Sequence, residues 1–317
     1  MPTRPILLVD GLNVFTRHFV ANPTMSDHGH HVGGLVGFLK GLRLLCERIR
    51  PSKVVVVWEG GGSSRRRAIF KDYKKGRRPQ RLNRYYEDIP DTVENRNRQV
   101  KLTVDALKKL PVIQMYVADC EADDVIGYLA KYLFKNTQCV IVSSDKDFYQ
   151  LVTDRVCQWS PGQKIFITSD IIVSKFGIHP NNFCAARCFI GDPSDGIPGI
   201  KGAGFKTMSK RFPDLQEESD VSVNDIISSA LEQTKTSKIK LFDNIIENQE
   251  LPRRNWKVMY LGTDNLSGDQ INKICGVVNT FEPYRNKIEL TRLLLREGIN
   301  NFDLDSFYMS VNGTYSG

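Results

Sequence analysis

The sequence predicts an α/β fold, a mostly parallel central sheet flanked by helices and followed by a helical part. Three observations predict it. Short apolar runs alternate with stretches of helical periodicity through the first two-thirds of the chain. The strand-like runs, such as 54–58 and 140–142, are near-continuous Val, Ile and Leu, as expected of strands buried on both faces. After about residue 196 the strand signal fades, and glycine-rich turns and helices take over.

Taken in order, Ile6–Asp10 reads as a strand and Gly33–Ile49 as a helix with its apolar residues at helical spacing. Residues 53–59 form a Val-rich strand, and a basic stretch follows. A helix is expected near 92–109, a strand at 112–116, and a helix opening around Glu121. The strand 139–143 leads into "VIVSSDKDFYQ", where Asp145 and Asp147, read as extended, point the same way. Further helices are expected at 207–211, 223–248, 270–279 and 283–297. The division implied is 1–190 and 191–317, with 1–4 and 312–317 loose. There is no internal repeat. The chain enters a strand at once without a signal-peptide pattern, and no apolar run approaches the ~18 residues of a membrane span. Seven cysteines with no CxxC fit a reducing cytoplasmic setting.

Charge is sorted along the chain. The net charge is +8, yet 65–84 alone carries ten basic residues against one acid, Asp72. Acids gather in "EADD", "SDKD" and "GDPSD". Sites in parallel sheets form beyond the carboxyl ends of the strands, which is where Asp10, Glu59 and Asp145 fall. With Glu121, Asp123, Asp124, Asp147, Asp192 and Asp195 they make nine candidates. Each alone reads best as a turn residue or a helix cap; their coincidence at one edge favours a cluster. Two like charges ~4 Å apart repel by ~4 kcal/mol at an effective dielectric of 20, so such a cluster needs cations. Oxygen-only ligation points to Mg²⁺ or Mn²⁺ rather than zinc. A helix opening at Glu121 would favour carboxylates in its first turn and put Glu121 and Asp124 on one face. "HGHH" at 28–31 reads as a surface loop rather than a metal site.

The basic stretch, with Tyr73, Tyr85 and Tyr86 interleaved, suits a phosphate backbone with stacked bases. "GIPGIKGAGFKT" places Gly199, Gly202 and Gly204 in a tight turn before a helix, where free N–H groups and Lys201 and Lys206 would face phosphate.

The segments "LLVDGLNVFTR", "VVVVWEGGGSSRRRAIFKDYKKGR", "CEADDVIGYLAK", "VIVSSDKDFYQLV" and "FIGDPSDGIPGIKGAGFKT" resemble, in order, the structure-specific 5′-nuclease family. That family includes flap endonucleases, the 5′-nuclease domain of bacterial DNA polymerase I, and phage 5′→3′ exonucleases of the ribonuclease H type. The compact length looks most like the phage replicative branch. The resemblance implies a PIN-like core and a two-metal Mg²⁺-dependent phosphodiesterase of replication or repair, with Mn²⁺ able to substitute. It implies Asp10, Glu121, Asp123, Asp145 and Asp147 as core metal ligands, and Asp124, Asp192 and Asp195 as second-site or outer-shell ligands. Glu59 stands where the family usually has Asp. Arg66 and Lys74 match cations beside the scissile phosphate. Residues 62–90 would form a helical arch passing a 5′ single strand, with Arg65, Arg67, Lys71, Lys75 and Arg77 as contacts. The glycine turn matches a helix–three-turn–helix that grips duplex and can bind K⁺, and Arg17 matches a phosphate-facing position more loosely.

Implied substrates are flapped, branched or nicked duplex DNA and RNA/DNA hybrid, handled by a monomer. A single-strand-binding protein or a clamp is the kind of protein partner implied, although the tail "FDLDSFYMSVNGTYSG" carries no docking motif for either. Two other readings stay open: a PIN-like single-strand ribonuclease, and a non-catalytic branched-DNA binder.

Overall fold

The structure, a computed structural model, describes residues 4–76 and 92–315. Its sheet is built from β1 (Ile6–Asp10), β2 (Lys53–Trp58), β3 (Ile113–Tyr116), β4 (Cys139–Val142), β5 (Val156–Ser160) and β6 (Ile165–Ile167). The order is β3-β2-β1-β4-β5-β6, parallel throughout except for the antiparallel β5–β6 pair. Helices α1 (Gly11–Ala21), α2 (Gly33–Ile49), α3 (Ser64–Ile69), α4 (Val93–Leu107) and α5 (Ala122–Tyr128) alternate with the first strands. The chain then adds α6 (Ser169–Phe176), α7 (Pro180–Ile190), α8 (Phe205–Arg211), α9 (Val223–Thr234), α10 (Lys240–Glu247) and α11 (Glu250–Met259). It ends with α12 (Gly268–Asn279), α13 (Lys287–Arg296) and α14 (Leu304–Asn312).

The Val and Leu runs are strands because both of their faces are covered. Leu7, Val9, Val54, Val56, Val140 and Val142 point into one core, shared with α1, α2, α4, α13 and α14. Their neighbours Ile6, Leu8, Val55, Val57 and Ile141 point the other way, against α5 and α12. Period-2 alternation therefore puts an apolar side chain in a core at every position. A third core, around Phe183, Phe189, Met208, Phe242 and Met259, holds α6 to α11 together.

Several expectations need correction. The stretch 223–248 is two helices, because "KTSK" at 235–238 offers no apolar residue to continue the buried stripe. The strands β5 and β6 and the helices α1, α6, α11 and α14 were not among the expected elements. The chain at 4 and at 312–315 is tied down: Arg4 donates to the carbonyls of Arg50, Pro51 and Gly313, and the Tyr315 N–H bonds Ser52. In "HGHH", His28 and His30 are exposed, but His31 is buried and its Nε2 lies 2.7 Å from the Asn22 carbonyl. Among the described residues no helix is long and apolar enough to cross a membrane, and all seven cysteines are free thiols.

Candidate active site

The parallel register brings the carboxyl ends of β1, β2 and β4 level, with Asp10 beside Val57 and Val9 beside Val142. Asp10 caps α1 by accepting the Asn13 N–H at 3.2 Å and also accepts the Ser143 hydroxyl at 3.0 Å. Beyond Val142 the chain is not extended, contrary to the expectation for 145 and 147. It turns: Asp145 Oδ1 accepts the Asp147 N–H at 2.9 Å, and Asp147 opens a short 3₁₀ turn to Leu151. Buried Gln158 on β5 secures this turn, donating to the carbonyls of Ser143 and Asp145 at 2.7 and 2.8 Å. The two carboxylates reach the edge by a tight turn rather than by strand alternation.

The acids share one field. Burial pushes Asp10 up to about 7, with the Asp145 carboxylate adding to it against the Asn13 and Ser143 hydrogen bonds. Burial, then Asp145, likewise pushes Asp147 up to about 7, with Arg187 opposing. Asp123 is raised well above the carboxylate range by burial and Asp145, against Lys74. Glu59 is raised by burial and by Glu121. A charge on Asp145 thus reaches acids on β1, on α5 and in the turn after β4. Among the described residues, no three Asp, Glu, His or Cys side chains already converge as a chelating group. The donor set still fits a hard divalent ion, being all carboxylate. Mg²⁺ keeps several waters and takes only one or two carboxylates besides substrate phosphate.

Cations sit among the acids, and here two expectations change. Arg66 is 2% exposed. Its Nη1 and Nη2 donate to Glu121 at 2.6 Å and Asp124 at 2.7 Å, and its Nε to the Val258 carbonyl at 2.8 Å. The guanidinium so enclosed turns its donors to Val258, Glu121 and Asp124 and holds α3, α5 and α11 together. Asp124 takes a further hydrogen bond from Asn265 at 2.9 Å and caps the Glu121 N–H, so its oxygens are already committed. Tyr73 is no stacking platform: it is buried and donates to Glu121 at 2.9 Å.

Lys74 remains partly exposed, with Nζ 2.7 Å from Glu121 and 4.0 Å from Asp195. Its backbone is left-handed (φ 59°), and its N–H donates to the Asp195 carbonyl at 2.9 Å. Asp192 accepts the Ser194 N–H and hydroxyl and shares the Nη2 of Arg187 with Asp147. Against the burial that raises it, those Ser194 and Arg187 contacts hold Asp192 below the usual carboxylate range.

Of the other expected contacts, Arg17, Arg67, Lys71, Lys75, Lys201 and Lys206 are exposed. Arg65 is tied by Nη1 to Asn265 at 2.5 Å. Arg77 and the rest of the expected arch from 77 to 90 lie outside the described residues. The turn between α7 and α8 needs its glycines: a Cβ on Gly199 would sit 2.0 Å from the Ile190 carbonyl oxygen, and Gly202 has φ +89°. Gly204 opens α8 without a side-chain cap. Sequence reasoning missed Arg187, Gln158 and Asn265. The available signals were a lone Arg in the apolar helix "NFCAARCFI" and a Gln inside the strand "VCQWS".

A sheet edge that gathers carboxylates, with a reachable lysine beside them and exposed cations around, defines a phosphodiester-cleaving α/β nuclease. Residues 5–177 match the model of the 5′-3′ exonuclease N-terminal resolvase-like domain. The flap endonuclease Xni of Shewanella halifaxensis is 30% identical over 263 residues, 81% of this chain and 93% of that protein. The 5′-3′ exonuclease of Bacillus subtilis is 32% identical over 219 residues, covering 66% of this chain and 70% of its own length. The bacteriophage T5 flap endonuclease, solved with DNA and metal ions, shares the fold at a TM-score of 0.68 and 19% identity, over 91% of this chain and 98% of its own. The chain belongs to the 5′-3′ exonuclease family and is a hydrolytic nuclease of the exonuclease and flap-endonuclease kind.

Proposed function

We propose that the chain cleaves phosphodiesters near 5′ ends in flapped, nicked or branched duplex DNA and in RNA/DNA primers, using Mg²⁺ with Mn²⁺ able to substitute. The observation that carries this reading is the shared field of Asp10, Asp123 and Asp147, acids from separate elements each raised by burial and by the neighbouring Asp145 carboxylate. These four would hold the ions, with Glu59, Glu121, Asp192 and Asp195 lining the surround. Two divalent ions, when bound, supply Lewis-acid charge to the scissile phosphate.

The remaining work falls to the chain itself. Arg66, Tyr73 and Asp124 hold Glu121 at the helix start, so the acid edge keeps its shape between turnovers. Lys74 Nζ, mobile enough at partial exposure to leave Glu121, places positive charge on the phosphoryl oxygens. Exposed Lys71, Lys75 and Arg67 lie along the single-strand path, and the 199–204 turn with Lys201 and Lys206 approaches duplex backbone. Its carbonyls are the donors a K⁺ would meet. The T5 enzyme's complex with DNA and metal ions supports this reading.

A 5′-labelled flap substrate tests it. Mapped products at the flap junction that vanish in chelator and return with Mg²⁺ are expected. Cleavage indifferent to chelator, or preference for unstructured RNA over flapped DNA, would overturn it.

A further inference from the structure

We propose that Arg187 is a positioning residue that locks the helical hairpin to the acid edge and thereby sets where Lys74 stands. The inference rests on the nuclease reading above. Arg187 lies in the last turn of α7, the first helix of the α7–α8 hairpin, and is the one charged residue of that helix. Its Nη2 donates to Asp147 Oδ1 and to Asp192 Oδ2, each at 2.7 Å. Asp147 belongs to the turn after β4, and Asp192 to the turn that leaves α7, so one nitrogen joins two separate parts of the site. Asp192 in turn holds the Ser194 N–H and hydroxyl, shaping the 193–195 turn. The carbonyl of Asp195 then takes the N–H of Lys74 at 2.9 Å, and Lys74 is held in a left-handed conformation. The chain of contacts runs from the sheet edge through Arg187 and the turn to the lysine.

Stability alone does not account for this arrangement. The Arg187 side chain is 11% exposed, and its Nε is buried with no hydrogen-bond partner. A buried unpaired donor and a desolvated ion pair both cost free energy that apolar packing would avoid. A non-glycine residue with positive φ adds strain of the kind that persists only when surroundings impose it. Those costs fall on the contacts that place one reactive cation relative to one set of acids, where misplacement by about 1 Å can cost about a hundredfold in rate.

The test compares Arg187→Ala, Arg187→Gln and Arg187→Lys with the wild type on the flap substrate, at saturating DNA in single turnover. Ala and Gln are expected to lose about a hundredfold in rate while DNA affinity in chelator stays within about threefold. Lys keeps the positive charge without the planar fork and is expected to recover part of the loss, leaving it between Gln and the wild type. Amide exchange in the ion-free protein should quicken at 72–76 and 192–197 in Ala and Gln and stay unchanged elsewhere. Combined with Lys74→Ala, Arg187→Gln should cost far less than it does alone, the non-additivity of residues acting through one another.

Additive losses, unchanged exchange, or a Gln variant within about threefold of wild-type rate would overturn the inference. If Ala does not fold, Gln and Lys decide; if none of the three folds, Arg187 serves folding alone and the inference falls. A wild type with no ion-dependent cleavage would instead sink the reading beneath it.

Discussion

Asp145 is the acid whose charge reaches Asp10, Asp123 and Asp147 alike. Replacing it with Asn removes the carboxylate charge proposed to hold metal and, with it, the repulsion its neighbours feel. Asp145→Asn is therefore expected to abolish cleavage while leaving DNA binding intact or stronger, read by gel shift beside a cleavage assay; retained turnover would remove Asp145 from the ligand set. Lys74→Ala should lower the single-turnover rate about a hundredfold with a much smaller change in affinity, as loss of one charge-stabilising group does. Equal losses in both would make Lys74 an ordinary backbone contact. The raised acids also predict a pH dependence. Folded Asp10 and Asp147 keep protons up to about 7, whereas unfolded Asp releases its proton near about 3.9. The folded chain binds more protons between those values, so this contribution to stability is present at low pH and lost as pH rises through about 7. In chelator the melting temperature should fall from about pH 5.5 to about pH 8, and divalent ions should restore more at the higher pH. A flat profile in chelator would show that these acids are not raised.

At the scale of elements, the interlock of α3, α5 and α11 decides what the basic stretch can do. Arg66 and the Thr263–Asn265 turn fasten α3 and α5 to the helical part, through Val258 and through Asn265. Arg66→Ala would leave Asp124 buried with only neutral donors, the Asn265 amide and the Glu121 N–H, and Glu121 with only Lys74 and Tyr73. Breaking a buried pair from one side costs about 3–5 kcal/mol. A loss of that size in chemical denaturation is expected; a loss below about 1 kcal/mol would mean that water already solvates the pair. Most elements were legible as periodicity: β1 and α2 fall on the expected residues, and β2, β4 and α4 within two. Arg66 could not be placed from its neighbours, since "RRR" offers three equal cations. Only the docking of α11, nearly two hundred residues later in the chain, decides which one is buried.

Across the whole molecule, the last helices are part of the first core. Leu290, Leu293, Leu294, Ile299, Phe307 and Val311 pack with the sheet residues of β1, β2 and β4. Each buried apolar side chain of this kind is worth roughly 1.5–3 kcal/mol, so removing all six approaches the entire stability of a domain. A chain ended after residue 286 is therefore expected to aggregate or melt well below the full chain, by circular dichroism and limited proteolysis. An unchanged melting temperature would show that the sheet stands without α13 and α14. From the sequence alone the C-terminal part read only as helical support, with α13 expected and α14 not, because an apolar stripe names no partner.

The alternating Val and Leu runs by themselves determined a buried parallel sheet, since only a strand covered on both faces tolerates apolar side chains at every position. The clustering of acids at strand ends and of cations in 65–84 marked the edge at which chemistry is proposed. What only the tertiary structure decided is which charges are available for it. Arg66 is spent on Glu121 and Asp124, and Tyr73 on Glu121, while Arg187 stands between Asp147 and Asp192. Pairing between distant side chains depends on distances of a few ångströms across packed elements, and no one-dimensional spacing encodes those.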